Sequence, residues 1–218
     1  MMKNNSLENG DAAPGSSEDD DLRRRILDEA RHLLVRDGYR NLSMRRLARA
    51  IGYSATSIYL HFESKDDLFH ALIDEGMKRL HMRLREAVEA AAGPRACLEA
   101  LCRAFARFGL DNPEYYDVMF LQRPEAMERY PPAKYRRARR NLDLVQDLLR
   151  RGAEQNRFHL PEDPLVAASS LWASLHGTVS LLLSRRVDAR VEVEALVEAS
   201  VRQALRGVSA APAATAAD

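Results

Sequence analysis

Apolar residues recur at every third or fourth position through most of this chain, and nowhere do they alternate convincingly with period two. Residues three and four apart share one face of a helix, whereas a half-buried strand needs strict alternation. The pattern therefore commits the chain to helices. Glycine and proline are sparse and sit between the periodic segments, where they can end one helix before the next begins. The expected fold class is all-α.

The stripes can be followed along the chain. Ile26, Ala30, Leu33 and Leu34 mark a first helix starting near Leu22, with Gly38 placed to end it. Ser43 can cap a second helix striped by Met44, Leu47, Ala48 and Ile51. Gly52 breaks the pattern, Ser54 can cap a very short third helix, and Ser64 with Asp67 can start a fourth. That fourth helix keeps its period from Leu68 to Val88 and reaches roughly 40 Å, enough to tie a small head to a larger body. Further helices are expected over 96–111, 113–121, 132–156, 163–184 and 191–206. The domain reading is a disordered acidic tail over 1–20, a head over 21–68, a body over 69–207 and a disordered tail over 208–218.

A net charge of +1 conceals an uneven distribution. Residues 1–21 hold one lysine against six acids, a net of −5, and residues 22–65 hold ten Lys or Arg against four acids, a net of +6. The first 21 residues lack the apolar segment of a signal peptide. No window looks apolar enough for long enough to span a bilayer, so no membrane partner and a cytoplasmic location are expected. Cys97 and Cys102 are five apart, roughly 140° round a helix, which disfavours a disulfide. No spacing resembles a metal site, and no cofactor is expected.

The short third helix cannot stabilise itself, so its neighbours must hold it and its outer face must have a use. With Ile58 and Phe62 turned inward, steps of 100° point Thr56 and Leu60 straight out, with Ser57 beside them and Tyr59 and His61 on the flanks. Small hydroxyls and a thymine-sized apolar group suit base edges in a major groove. A phenol, an imidazole and Lys65 at the margins suit phosphates. Two short helices joined by Gly52-Tyr53-Ser54 have the layout of a helix-turn-helix, and the net +6 of this segment favours DNA over a purely packing role.

Residues 22–73 resemble the DNA-binding domain of the TetR family of transcriptional regulators. The resemblance is carried by Ala30, Gly38, Ser43, Leu47, Ala48, Gly52, Ser54, Ile58-Tyr59, His61-Phe62, Lys65 and Leu68 at the family's spacing. It implies a helix-turn-helix head, a ligand-binding C-terminal body, a homodimer, and repression relieved by a small-molecule effector. By position it implies DNA contacts at Ser43, Arg45, Ala55, Thr56, Ser57, Tyr59, Leu60, His61 and Lys65 on a double-stranded operator. Ala55 and Leu60 cannot donate hydrogen bonds, so polar reading would lean on Thr56 and Ser57.

In the body, Trp172 and His176 are one turn apart, and Gly177 would let a helix approach closely. Their W-x-x-x-H-G pattern resembles a subgroup of the family's C-terminal domains. One reading makes the pair the wall of an apolar pocket joined by Phe105, Phe108, Met119 and Phe120, for a hydrophobic or aromatic effector. The other makes them ordinary core. The basic run from Lys134 to Arg140 reads as a solvated face. The last two helices carry an apolar surplus (Val191, Val193, Leu196, Val197, Val201 and Leu205), and the resemblance makes them the dimer surface. Catalysis is disfavoured, because no nucleophile elbow or phosphate loop appears and His176 has no evident partner in sequence. A helical binding protein without DNA recognition is the remaining rival, and activation in place of repression stays open.

Overall fold

The computed structural model describes residues 15–122 and 132–208, with side chains described over 18–122 and 139–208. Among the described residues it is built of helices with no strand. In chain order these are α1 (Gly15–Asn41), α2 (Met44–Ile51), α3 (Ala55–His61), α4 (Lys65–Glu89), α5 (Pro94–Asp111), α6 (Pro113–Tyr116), a π-helical turn (Asp117–Leu121), α7 (Pro132–Glu154), α8 (Pro164–Leu183) and α9 (Val193–Val208). The division between two compact units falls after Leu68.

In the first unit α1 packs on α2 and α2 on α3. Ile26, Ala30, Leu33, Leu34, Met44, Leu47, Ala48, Ile58 and Phe62 are all buried, so the three stripes meet in one small core. The caps are the serines. Ser43 accepts from the Arg46 amide at 3.2 Å, and Ser54 accepts from the Ser57 amide at 3.0 Å. Gly52 ends α2 with φ +76° and ψ 29°, a left-handed conformation that suits a residue without a side chain. At the start of α4 the Ser64 hydroxyl accepts from the Asp67 amide at 3.0 Å, and the Asp67 carboxylate accepts from the Glu63 amide at 3.4 Å.

In the first unit two boundaries differ from the sequence reading; in the second, α5 begins at Pro94, α7 ends at Glu154 and α9 runs Val193–Val208 where 96, 156 and 191–206 were expected. Helix α1 begins at Gly15, seven residues before Leu22, so residues 15–20 are helical and not a disordered tail. Acids in the first turns of a helix stabilise its positive end. Glu18, Asp19, Asp20 and Asp21 therefore favour helix where acidity alone had read as disorder. The chain bends at Gly38 and resumes helix to Asn41 instead of stopping there. At the other end Val208, expected to open a disordered tail, is the buried last residue of α9, and residues 1–14 and 209–218 lie outside the described residues.

In the second unit α8 lies against α5, α7 and α9, and α5 also meets α7 and α9. Leu98, Leu101, Phe105, Val145, Leu149, Leu175, Val179, Val197 and Val201 are among the side chains in this core. Arg103 and Arg107 of α5 hold Glu198 and Glu194 of α9 at 2.7 and 2.5 Å. Asn141 of α7, almost fully buried, contacts His81 and donates to the Met77 carbonyl of α4 at 3.2 Å. Cys97 and Cys102 are both free thiols.

Helix α8 corrects the expectation that no segment could span a membrane. By length and composition alone Pro164–Leu183 would suffice. Its Ala168, Leu171, Leu175 and Val179 are instead buried within the body. The apolar surplus expected of the last two helices is partly absorbed in the same way, since Val197, Val201 and Leu205 are buried within the chain. Leu165, Val166, Leu181, Val191 and Val193 stay exposed.

Candidate functional site

Helix α3 turns Ile58 into the core and presents the opposite face. Leu60 is 82% exposed and Tyr59 52%, and Thr56 is exposed beside them. Ala55 and Ser57 are half-buried. The Ser57 hydroxyl lies 2.8 Å from that of its capping partner Ser54, so it is already engaged within the helix start. Arg45 is exposed on α2, next to the capping residue Ser43, which is also exposed.

Two of the expected phosphate contacts are held more closely than the sequence implied. The Lys65 ammonium sits 4.0 Å above the Tyr39 ring, and burial lowers its pKa. The Tyr39 hydroxyl in turn donates to Asp66. The His61 side chain is only 6% exposed, with Nε2 3.6 Å from a carboxylate oxygen of Asp19. That contact arises because the unexpected first turns of α1 run past the end of α3. Along the same stretch the Arg23 guanidinium lies over the Phe62 ring, and Arg25 donates to the Tyr53 hydroxyl and the Ile51 carbonyl, each at 3.3 Å.

In the body, four of the six residues expected around a pocket come together, and a fifth aromatic joins them. Phe105 of α5 meets Trp172 of α8 with ring centroids 4.6 Å apart. Phe120 meets Trp172 at 5.9 Å and His176 at 5.6 Å. Tyr116 stacks on His176 and touches both Phe105 and Phe120. Phe108 is buried elsewhere, in an open cleft of about 370 Å³ with Arg79, Met82, Arg83 and Glu86. Met119 packs against Gly76 of α4, so closely that a methyl at that glycine would collide with it.

Sequence reasoning missed Tyr116, and it gave His176 no partner. The Tyr116 hydroxyl lies 2.7 Å from His176 Nδ1, and the Ser180 hydroxyl lies 3.3 Å from Nε2. A neutral ring protonated at Nε2 satisfies all three groups: Tyr116 donates to Nδ1, and Nε2–H donates to Ser180. Burial lowers the His176 pKa and raises that of Tyr116, so both favour their neutral forms. The signal was present, because Tyr116 stands four residues before Phe120, as Ser180 stands four after His176.

The close approach that the sequence assigned to Gly177 is made at Gly109. Among the described residues, and leaving aside its own turn of helix, nothing lies within 4 Å of a Cβ placed on Gly177. At Gly109 such a Cβ would come within 2.6 Å of Val179 and 2.8 Å of Tyr116. The absent side chain lets α8 and Tyr116 settle onto α5. Of the basic run, Arg139 and Arg140 are exposed, and the side chains of Lys134 to Ala138 lie outside the described residues.

A basic three-helix head with a capped, outward-facing short helix defines a helix-turn-helix DNA-binding protein. Comparison with known proteins agrees. The pattern described as bacterial regulatory proteins, tetR family, matches residues 26–72, and that described as tetracyclin repressor-like, C-terminal domain, matches residues 98–204. The chain is 33% identical over 189 residues to the HTH-type transcriptional repressor Rv1474c of Mycobacterium tuberculosis, covering 83% of this chain and 93% of that one. It is 30% identical over 187 residues to the HTH-type transcriptional repressor AcnR of Corynebacterium efficiens, with the same coverages of 83% and 93%. Among solved structures, the TetR family transcriptional regulator PfmR from Thermus thermophilus superposes with a TM-score of 0.69 at 27% identity, over 84% of this chain and 98% of that one. The chain belongs to the TetR family of transcriptional regulators. It is a DNA-binding regulator and not an enzyme.

Proposed function

We propose that the chain is a repressor that binds a palindromic operator as a homodimer and leaves it when a small hydrophobic or aromatic molecule enters the body. The observation that carries the DNA half is the presented face of α3, where Thr56, Tyr59 and Leu60 stand exposed opposite the buried Ile58. Thr56 and Leu60 meet base edges. Tyr59, Arg45, Ser43 and Lys65 meet phosphates, with Ala55 and Ser57 packed close to the backbone. His61 takes the more modest role of holding the end of α3. Repression follows the names of the two full-length relatives, both called transcriptional repressors. An operator on the chromosome makes the cytoplasm the place of action.

The ligand half rests on the aromatic group Phe105, Tyr116, Phe120, Trp172 and His176. It is an apolar wall with one neutral hydrogen-bonded pair, which suits an uncharged aromatic or hydrophobic effector. Phe108 and Met119 extend the wall only if the body rearranges on binding. The homodimer rests on the exposed Leu165, Val166, Leu181, Val191 and Val193, which a twofold mate would cover.

Selection of bound duplexes from a random pool tests the whole reading. A palindromic consensus is expected, with half-sites about 34 Å or a multiple of that apart. Repeating the selection with aromatic and acyl compounds identifies an effector by loss of enrichment. Enrichment of no sequence would overturn operator recognition, and a stable monomer in sedimentation at micromolar concentration would overturn the dimer.

A further inference from the structure

The recognition face is short of hydrogen-bonding groups. Ala55 offers none, the Ser57 hydroxyl is engaged by Ser54 at 2.8 Å, and the His61 side chain is 6% exposed and faces Asp19. The most exposed large apolar side chain of the head is Leu60, 82% exposed, on the same helix face as Thr56 one turn earlier. An apolar side chain this exposed on a seven-residue helix contributes little to the head's own stability, since burial is what gives an apolar group its worth. Its value lies in what covers it.

In a major groove, the apolar group a base edge offers is the C5 methyl of thymine. Leu60 supplies branched methyls at the centre of the face, and Thr56 supplies a further methyl beside its hydroxyl. The adjacent Tyr59, 52% exposed, flanks them. We propose that Leu60 is the principal specificity-determining residue of this regulator and that it reads thymine by its methyl group, with Thr56 as the polar partner. The inference rests on α3 being the DNA-reading helix and goes beyond it by naming the chemical group recognised. A cytosine carrying a C5 methyl presents the same group, so it is read in place of thymine at the apolar contact.

Replacing thymine by uracil provides a direct test, because uracil keeps the O4 acceptor and the Watson–Crick pairing and lacks only the methyl. Random pools are selected with the full-length protein, and the enriched duplex is then synthesised with thymine or uracil at each half-site position in turn. The expected result is one or two thymines per half-site at which uracil weakens binding about fourfold, the effect of withdrawing one methyl from burial. The Leu60→Ala protein is expected to bind the thymine and uracil duplexes equally, and Leu60→Gln to lose the thymine preference there in favour of adenine. Leu60 is exposed, so neither variant should disturb folding, and circular dichroism checks this. Equal affinity of the unaltered protein for both duplexes, or an unchanged thymine-to-uracil ratio in Leu60→Ala, overturns the proposal while leaving DNA binding intact. If no duplex is enriched, the DNA-reading face itself is wrong, and this inference falls with it.

Discussion

Removing the Tyr116 hydroxyl tests whether the pair it forms with His176 is a built feature of the body. In Tyr116→Phe the ring keeps its packing against Phe105, Phe120 and His176, and the hydroxyl's 2.7 Å bond to Nδ1 is lost. Tyr116 is fully buried, so the change leaves an apolar edge where the imidazole needs a donor. Losing one partner of a buried bond costs about 1–3 kcal/mol, and the half-exposed imidazole can take some water in exchange, so the lower half of that range applies. In a unit of this size each kcal/mol moves Tm by about 2–4 °C. A fall of about 2–8 °C is expected. His176→Phe should destabilise for the converse reason. The double variant should cost less than the two singles together, with a coupling of about 1 kcal/mol. Thermal denaturation measures the cycle, and nitrogen-15 spectra of the imidazole report the tautomer directly. The proton should reside on Nε2 in the parent protein and redistribute between the nitrogens in Tyr116→Phe. Strict additivity, together with an unchanged tautomer, would refute the pairing.

Four further outcomes are expected. Lys65→Ala should weaken binding to all duplexes about equally and flatten the salt dependence by roughly one contact, whereas Thr56→Ala should relax preference at one or two base pairs by about 1–3 kcal/mol; salt titrations on matched and mismatched duplexes separate the two. Gly109→Ala forces a methyl against Val179 and Tyr116 and should cost about 1–3 kcal/mol, read as a lower Tm, with the Val179→Ala background restoring part of it. Burial holds the His176 pKa below its ordinary 6.5, so the unfolded chain binds the proton more readily; stability should be intact above pH 6.5 and decline as the pH falls through that value, and His176→Phe should remove this component of the Tm profile. Burial pushes the Cys102 thiol up to about 12, so at about pH 8 a thiol reagent should label the partly exposed Cys97 first and reach Cys102 only on unfolding.

The head was largely legible in the sequence because its signals are local. Ser43, Gly52 and Ser54 do at caps and turn what their chemistry predicts, and the stripes ending in Ile58 and Phe62 point inward as their spacing requires. What escaped was the first turns of α1. A run of acids reads as solvated tail by composition and as helix start by position, and position prevailed. Trp172 and His176 were legible as one face for the same local reason. Their partners were not, because Tyr116 and Phe105 come from other helices and no periodicity within one segment reveals which face meets which. The misplaced Gly177 has the same origin: a glycine in a helix marks a close approach, but only the packed body shows that Gly109 is the glycine being approached.

The π-helical turn makes the aromatic group depend on a count of residues. From Asp117 to Leu121 the chain closes a wider loop than an α-helix, and the Gln122 amide donates to the Asp117 carbonyl five residues back at 2.9 Å. Each residue added to or removed from a helix turns everything beyond it by about 100°. Deleting one residue between Tyr116 and Phe120 removes the spacing that sets both rings on one wall and, wherever the wider turn persists, swings Phe120 away from Trp172 and His176, although every aromatic side chain would still be present. Length changes that a surface loop would absorb would therefore dismantle this group. Two members of the family with the same aromatic residues but one residue's difference in this stretch would present different walls to the same molecule.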